Sequence, residues 1–132
     1  KALSCTLTDL LDEPAKESAT VIRAEERRCL EDPDAGVVRY GVTTQAFGPG
    51  MEFVWYDLAA NSSTGEMSPN RAGMIEFLTV IEGELTFRIG ETEHRVGPGD
   101  SVTYGPQAVM EYRNDGQVVC RIMMLVDRTK AT

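Results

Sequence analysis

The chain has 132 residues and a mass of 14.5 kDa, which suffices for one hydrophobic core but not for two ordinary domains. Its content of 42% hydrophobic and 26% charged residues is that of a soluble globular protein, and no apolar run approaches a membrane span. The formal net charge of −8 argues against direct binding to DNA, because lysine and arginine supply most of the affinity for phosphates. No secretion signal is visible, so we expect a cytoplasmic protein.

Residues 1–18 predict the end of a preceding unit. Thr6 and Asp9 suggest a helix start, and three leucines follow as an apolar stripe at helical spacing that needs a partner surface: Leu7, Leu10 and Leu11. Residues 12–18 are mostly polar and contain a proline, as a linker would. We therefore expect a short N-terminal helical segment and a linker before a single domain at 19–132.

The first strands of that domain are predicted at 36–42 and 52–58, with a Gly–Pro loop at 47–50 between them. Trp55 and Tyr56 are adjacent in the second strand, so only one of the two rings faces inward. The inward ring is either a stacking surface for a ligand or a core side chain. Residues 61–65 are rich in Asn, Ser and Gly and predict a loop with several turns.

From 74 to 114 the pattern alternates between strands and tight turns. The apolar run 74–81 ends near Gly83, where a hairpin needs a residue that tolerates positive φ, and residues 85–89 alternate between apolar and polar. Turns at Gly90 and 97–100 follow, and extended structure resumes at 102–104 and 109–112. Many short strands separated by glycine, proline and asparagine predict an all-β antiparallel sandwich or barrel.

The closing strand is predicted at 117–126, after an Asn–Asp–Gly turn. Cys120 alternates there with apolar residues, so we expect it in the core. Together with Cys5 and Cys29 it makes three cysteines, which are odd in number and widely spaced. This pattern argues against a disulfide framework and shows no zinc-knuckle spacing.

The stretch from Glu76 to Asn114 resembles the cupin family, whose fold is an antiparallel jelly-roll β-barrel. Glu76 and Gly83 keep the spacing that closes the first cupin motif, and Gly99 and Asn114 keep the outer spacing of the second. Three inner positions of the second motif depart from the family's proline, glycine and histidine: Gly105, Gln107 and Met110. The resemblance therefore implies the fold, but the second motif has lost its chemistry.

The resemblance also implies two histidines shortly before Glu76, and neither family spacing supplies one. The two spacings place there Asn70 and Ala72, or Pro69 and Arg71. A first-row divalent metal needs about three imidazole or carboxylate ligands, and the thioether of Met110 is a poor substitute. We therefore expect no metal site and no cofactor. The only histidine, His94, is interpreted as a partly exposed strand residue.

The leading residues extend the resemblance. Residues 1–11 resemble the last turns of the helix-turn-helix domain of phage-repressor-like (Xre-type) regulators, in one branch of which a linker and a cupin follow. Residues 21–28 resemble the strand and basic-acidic stretch that open the regulator-type cupin. This likeness implies a homodimer that contacts DNA only through a helix-turn-helix domain outside the barrel, and no membrane.

Strand alternation defines a candidate ligand site inside the barrel. If Glu76 faces inward, Leu78 shares its face, Met110 and Tyr112 line another inward face, and Asn70 and Arg71 lie at the mouth. Arg71 either holds a carboxylate or phosphate of the ligand or neutralises Glu76. The predicted ligand-binding residues are Asn70, Arg71, Glu76, Leu78, Met110, Tyr112 and Trp55.

The function that these features favour is small-molecule sensing and dimerisation within a DNA-binding transcriptional regulator, without catalytic residues. One alternative is a metal-independent cupin enzyme, an isomerase or lyase of a small metabolite, with Glu76 and Tyr112 as the acid–base pair. Another is a purely structural dimerisation module whose pocket is filled by its own methionines: Met74, Met110, Met123 and Met124.

Overall fold

Two antiparallel β-sheets share one core in the structure, a computed structural model that describes residues 19–43 and 48–132. The strands in chain order are β1 (Arg28–Asp32), β2 (Val37–Gly41), β3 (Met51–Leu58), β4 (Ser62–Ser63), β5 (Ile75–Glu82), β6 (Leu85–Ile89), β7 (Thr92–Val96), β8 (Ser101–Tyr104), β9 (Met110–Asn114) and β10 (Cys120–Asp127). The larger sheet has the order β1-β2-β3-β10-β5-β8, and the smaller one β4-β9-β6-β7. Antiparallel strands that are divided between two facing sheets, with the chain passing repeatedly from one sheet to the other, define a jelly-roll barrel.

The core lies between the inner faces of the two sheets, where apolar side chains alternate with outward-facing ones. Leu78 and Val80 of β5 are fully buried, as are Leu85 and Phe87 of β6. Strand β10 shows the same alternation along its whole length. Strands β5 and β10 thus bury one face each, as their period of two in the sequence predicts.

Cys120 begins β10 and is fully buried, which confirms the prediction that it packs in the core. Burial raises the pKa of its thiol to about 11, and the nearby carboxylates of Asp57 and Glu84 add to this effect. The thiol therefore stays protonated near neutral pH and behaves as an apolar side chain. Cys29, on β1, is exposed.

The predicted strands at 36–42, 52–58, 74–81, 85–89, 102–104, 109–112 and 117–126 are confirmed as β2, β3, β5, β6, β8, β9 and β10. His94 lies exposed on β7, as interpreted from the sequence. Two strands were not predicted, β1 and the two-residue β4.

The strand expected at 21–28 is wrong. Residues 24–26 form a short 3-10 helix, and strand structure begins only at Arg28. The carboxylate of Glu26 accepts a hydrogen bond from the backbone N–H of Arg23 at 2.8 Å, and the backbone N–H of Glu26 donates to the carbonyl of Arg23 at 2.9 Å. These local bonds stabilise a turn where an extended chain was expected.

The predicted N-terminal helix and linker at 1–18, and part of the predicted loop at 47–50, lie outside the described residues. Within 19–43 and 48–132, no helix has the length and apolar character needed to cross a membrane.

Candidate functional site

Two inward-facing carboxylates mark one end of the barrel. Val126 of β10 pairs with Glu52 of β3 on one side and with Glu76 of β5 on the other, and Glu76 pairs with Tyr104 of β8. These four side chains therefore form one row across the inner face of the larger sheet. Glu52 and Glu76 are two strands apart in that row, roughly 10 Å between backbones.

The deeper part of the site is a chain of hydrogen bonds that ends on Glu76, which is only 7% exposed. The hydroxyl of Tyr112 donates to Oε1 of Glu76 at 3.4 Å. Tyr112 also hydrogen-bonds the hydroxyl of Tyr104. Because a phenol carries one proton, Tyr104 must donate to Tyr112 when Tyr112 donates to Glu76.

Both tyrosines of this chain are held in their protonated form. Burial raises the pKa of Tyr112 well above its ordinary value, and the neighbouring charge of Glu76 raises it further. Burial likewise raises the pKa of Tyr104, with additional contributions from Tyr112 and Glu76. Near neutral pH these groups can donate hydrogen bonds or a proton, but neither can act as a base.

The outer part of the site is an ion-pair cluster around Glu52. Arg128 contacts Oε1 of Glu52 at 2.9 Å, and Arg39 contacts Oε2 at 3.1 Å. Burial, the largest single influence, favours the neutral acid. The hydrogen bond from Arg128 and the charge of Arg39 together outweigh it and hold the pKa of Glu52 below its ordinary value.

Tyr56 connects the two parts. The ring centroids of Tyr56 and Tyr112 are 5.7 Å apart. The guanidinium carbon of Arg39 lies 5.9 Å from the ring centroid of Tyr56. Burial raises the pKa of Tyr56, although Arg39 opposes the shift. A series of contacts between side chains therefore leads from the Glu52 cluster through the ring of Tyr56 to Tyr112, which hydrogen-bonds Glu76.

An open cleft of about 880 Å³ adjoins the Glu52 cluster. Among the described residues it is lined by Arg28, Thr43, Gly48, Pro49, Met51, Glu52 and Arg128. A smaller cleft of about 280 Å³ shares Arg28 and adds Cys29, Leu30, Arg39 and Gly41. The volume of the larger cleft is in the range of small-molecule sites.

Four of the predicted ligand-binding residues lie together in the interior. Glu76, Leu78, Met110 and Tyr112 are all buried and belong to facing strands, as the alternation of the sequence predicted. Their side chains pack in the core with Met74 and Met124. Neither of the two clefts is lined by these four residues, and the larger cleft lies nearer the rim.

Asn70 and Arg71 lie at the same end of the barrel, before β5, but their side chains are exposed. The backbone N–H of Asn70 donates to the carbonyl of Pro106, and the side-chain amide of Gln107 donates to the carbonyl of Arg71. Among the ion pairs of the described residues none joins Arg71 to Glu76, so the expected neutralisation of Glu76 by Arg71 is not seen.

Trp55 lies on the other face of the sheet, and its assignment to the interior is wrong. It pairs with Tyr40 and Met123, whose side chains point away from the core, and its ring lies near the guanidinium groups of Arg27 and Arg121. Tyr56 is the inward-facing ring of the two, because successive residues of a strand point to opposite faces.

The donor set around Glu76 does not fit a first-row metal. Its hydrogen-bond partner is the phenol of Tyr112, which also contacts the phenol of Tyr104 and lies 3.9 Å from the thioether sulfur of Met124. In the ranges 19–43 and 48–132, no three His, Cys, Asp or Glu side chains come close enough together to hold a metal ion. One carboxylate among phenols and thioethers lacks the imidazole or carboxylate partners that such an ion requires.

Sequence reasoning missed Glu52, Arg39, Arg128 and Tyr104 as members of the site, whereas it named Tyr56 as one of two candidate inward-facing rings. One signal was available, since Glu52 shares the period-two face of the buried residues Val54 and Leu58 and is a charged residue on an inward face. No local signal identifies Arg128, which follows β10 and reaches Glu52 across 76 positions of the chain.

The jelly-roll barrel with a glutamate on its inner face defines a class, and the family follows from comparison with known proteins. The Cupin_2 family model (Cupin domain) matches residues 54–126, more than half of the chain, and the chain belongs to this family. No curated protein sequence matches the chain significantly.

Solved structures of both regulators and a proposed enzyme share the fold. The Cupin_2 domain of an XRE family transcriptional regulator from Enterobacter cloacae has a TM-score of 0.65 at 23% identity, covering 70% of this chain and 96% of that one. An HTH_3 family transcriptional regulator from Vibrio cholerae has a TM-score of 0.63 at 20% identity, covering 72% of this chain and 53% of that one. A predicted oxalate decarboxylase from Thermotoga maritima has a TM-score of 0.68 at 17% identity, covering 83% and 99%. At these identities the likeness establishes the fold alone.

Proposed function

We propose that this cupin domain senses a small molecule and forms the dimer of an Xre-type transcriptional regulator in the cytoplasm. DNA contact belongs to a helix-turn-helix domain outside the barrel, since the chain itself carries a net charge of −8. The likeness to the cupin domains of two regulators supports this proposal.

The observation that carries the proposal is the open cleft beside Glu52 and the side-chain contacts that lead from it to the interior. Glu52 is held by Arg39 and Arg128, and Arg39 lies over Tyr56, which packs against Tyr112. A ligand that enters the cleft would contact groups that lead directly to buried Glu76. Ligand binding at the rim can therefore alter the packing of the core that joins the two sheets.

An apolar surface on the outside of the larger sheet supports dimerisation with a second copy of the chain. Ile75, Phe77 and Ile81 of β5 point outward and are 43–45% exposed. Register places Phe77 beside Leu125 of β10, and Leu125 beside Phe53 of β3. The residues paired at the level of Phe77 are Leu125, Phe53 and Thr103, none of which is charged, whereas Asp127 lies beside Ile75. Two copies of an acidic chain can therefore meet at the level of Phe77 without placing like charges in contact there.

The sensing proposal is tested by a thermal-shift screen of this chain against small metabolites, with Glu52→Gln as the site variant and Glu66→Gln as its matched control. Glu66 pairs with Arg88 but is 70% exposed. A sensor predicts a ligand that stabilises the control as it does the parent, and the Glu52 variant less. In the complete regulator that ligand should change DNA affinity by roughly 5- to 150-fold. A ligand that leaves DNA affinity unchanged would count against the proposal.

A metal-independent cupin enzyme is the second candidate, favoured by the contact of Tyr112 with Glu76 at 3.4 Å. Because burial raises the pKa of Tyr112, its hydroxyl stays protonated and would hydrogen-bond an oxygen of the substrate, while Glu76 would take a proton from the substrate. The two functions differ in what happens to the ligand. Nuclear magnetic resonance can follow a metabolite that binds the protein. A sensor leaves the metabolite unchanged, whereas an enzyme converts it, and the variant Tyr112→Phe should then lose this conversion.

A further inference from the structure

We propose that the cleft beside Glu52 is selective for a small organic anion, a carboxylate or phosphate ester, held by Arg28, Arg39 and Arg128. These three arginines and the clefts that they line are called the arginine cleft below. The inference deepens the proposed sensing function by assigning the chemical class of its ligand, and its regulatory meaning rests on that function.

The local charge of the arginine cleft favours an anionic ligand. Among the described residues, three arginines and a single carboxylate, Glu52, line the arginine cleft, and Glu52 pairs with Arg39 and Arg128. Positive charge is therefore in excess there although the whole chain carries −8. Arg28 lines both clefts. Within 19–43 and 48–132, no carboxylate forms an ion pair with it. A concave positive region on an acidic protein attracts small anions and selects against cations.

The arginines of the cleft also have hydrogen-bond donors that a ligand can use. Arg39 and Arg128 each bind Glu52 through one nitrogen, Nη2. A guanidinium has five N–H donors in a planar fork, which matches the paired oxygens of a carboxylate or phosphate. Glu52 thus orients the two groups and leaves donors for a ligand. Its own charge is matched by either arginine alone.

The space beside Arg28 also allows a ligand to reach its guanidinium. Gly41 pairs with Arg28 across β1 and β2, and a Cβ atom at position 41 would lie 3.5 Å from Nη2 of Arg28. Any larger side chain at that position would project into the region that Arg28 faces. The glycine therefore keeps the guanidinium accessible from the cleft.

Apolar walls complete the site and indicate an organic ligand rather than a bare inorganic ion. Met51 and Pro49 line the larger cleft, and Leu30, which is 67% exposed, lines the smaller one. A ligand with an anionic group and a short carbon skeleton would bury part of these surfaces while its charge contacts the arginines.

The test is titration calorimetry at low ionic strength with succinate and inorganic phosphate as probes and succinamide as the neutral analogue. We expect one or both anions to bind and succinamide not to bind. Arg28→Gln should weaken anion binding by roughly tenfold or more, because a charge-assisted hydrogen bond is lost. Arg95→Gln is the matched control, since Arg95 lies on β7 of the other sheet in an exposed pair with Glu84.

A second variant, Gly41→Leu, keeps every charge and fills the space beside Arg28. It should also weaken anion binding, which separates a shaped site from general electrostatic attraction. Equal binding by the parent, Arg28→Gln and Gly41→Leu would overturn the inference, as would the absence of binding by both anions.

The outcomes distinguish this inference from the proposed function. A neutral metabolite that binds the parent and Arg28→Gln equally would contradict the anion assignment and leave the sensing function intact. An anion that binds through Arg28 without changing the DNA affinity of the complete regulator would support the arginine cleft and contradict the proposed function.

Discussion

At the scale of single residues, Asn114 shows why a position of the family motif is needed for structure. It is 1% exposed, and its side-chain NH₂ group lies within hydrogen-bond distance of the carbonyls of Leu58, Ala59 and Val118. Its Oδ1 accepts a hydrogen bond from the backbone N–H of Gly116 at 2.9 Å. One amide therefore joins the end of β3 to the turn before β10.

Asn114→Asp should destabilise the fold by at least about 3 kcal/mol near neutral pH, because it replaces the donor with a buried charge that faces carbonyl oxygens. Asn70→Asp, at an exposed side chain, should change stability by no more than about 0.5 kcal/mol. Urea denaturation of both variants measures the difference. Equal stabilities would contradict the role assigned to Asn114.

Glu52 makes stability depend on pH. Its folded pKa lies below its ordinary value of 4.5, so the ion pairs contribute stability above that value and lose it as pH falls through the folded pKa. Glu52→Gln should therefore cost about 1–3 kcal/mol near pH 7 and progressively less below about pH 4.5. Denaturation of the parent and the variant across this range measures the effect, and a cost independent of pH would contradict it.

The interior residues of the site could be predicted from the sequence, and the rim residues could not. Glu76, Leu78, Met110 and Tyr112 lie on strands whose alternation fixes the buried face. The contacts of Glu52 with Arg128 depend on how distant strands pair, and on a residue beyond the end of β10. Alternation along one strand carries no information about such a partner.

At the scale of elements, the turn that carries the chain from β5 in the larger sheet to β6 in the smaller sheet depends on Gly83; the two strands are not paired, so the hairpin expected here from the sequence is wrong. Its φ of 76° lies in the left-handed region, and a Cβ atom there would lie 2.5 Å from the carbonyl oxygen of Val119. Both the turn and the close passage of the segment before β10 therefore require glycine.

Gly83→Ala should cost about 3 kcal/mol, because left-handed strain adds to a clash with backbone atoms that cannot move freely. Gly90→Ala is the matched control, with a φ of 58° and open space around its Cβ position. It should cost only about 1 kcal/mol of backbone strain. Thermal unfolding of both variants measures the two costs, and similar values would show that the clash is relieved.

The two strands that the sequence did not predict show no apolar alternation. All five residues of β1 are exposed, so it is an edge strand whose side chains show no apolar alternation, and it joins the sheet by backbone pairing with β2. Strand β4 has only two residues. Periodicity detects strands that bury one face, and it cannot detect strands that are held mainly by backbone hydrogen bonds.

At the scale of the whole molecule, the outer face of the larger sheet carries the exposed apolar residues of β5 on which the proposed dimer depends. Phe77→Asp places a charge in the middle of that face and should convert the proposed dimer to a monomer, because two carboxylates would be buried unpaired in the interface. Val118→Asp is the control, since Val118 is 65% exposed in the turn before β10. Sedimentation equilibrium of this chain measures both, and a parent chain that is monomeric would contradict the proposed dimer.

The account as a whole depends on a barrel interior whose glutamate is bound by phenols instead of a metal ion. The most direct test is the metal content of the purified protein after incubation with iron, manganese, zinc or nickel and removal of the excess, measured by inductively coupled plasma mass spectrometry with Glu76→Gln as the control. We predict far less than one ion per chain in both proteins, because about three suitable ligands are required. About one ion per chain in the parent, lost in Glu76→Gln, would contradict the account.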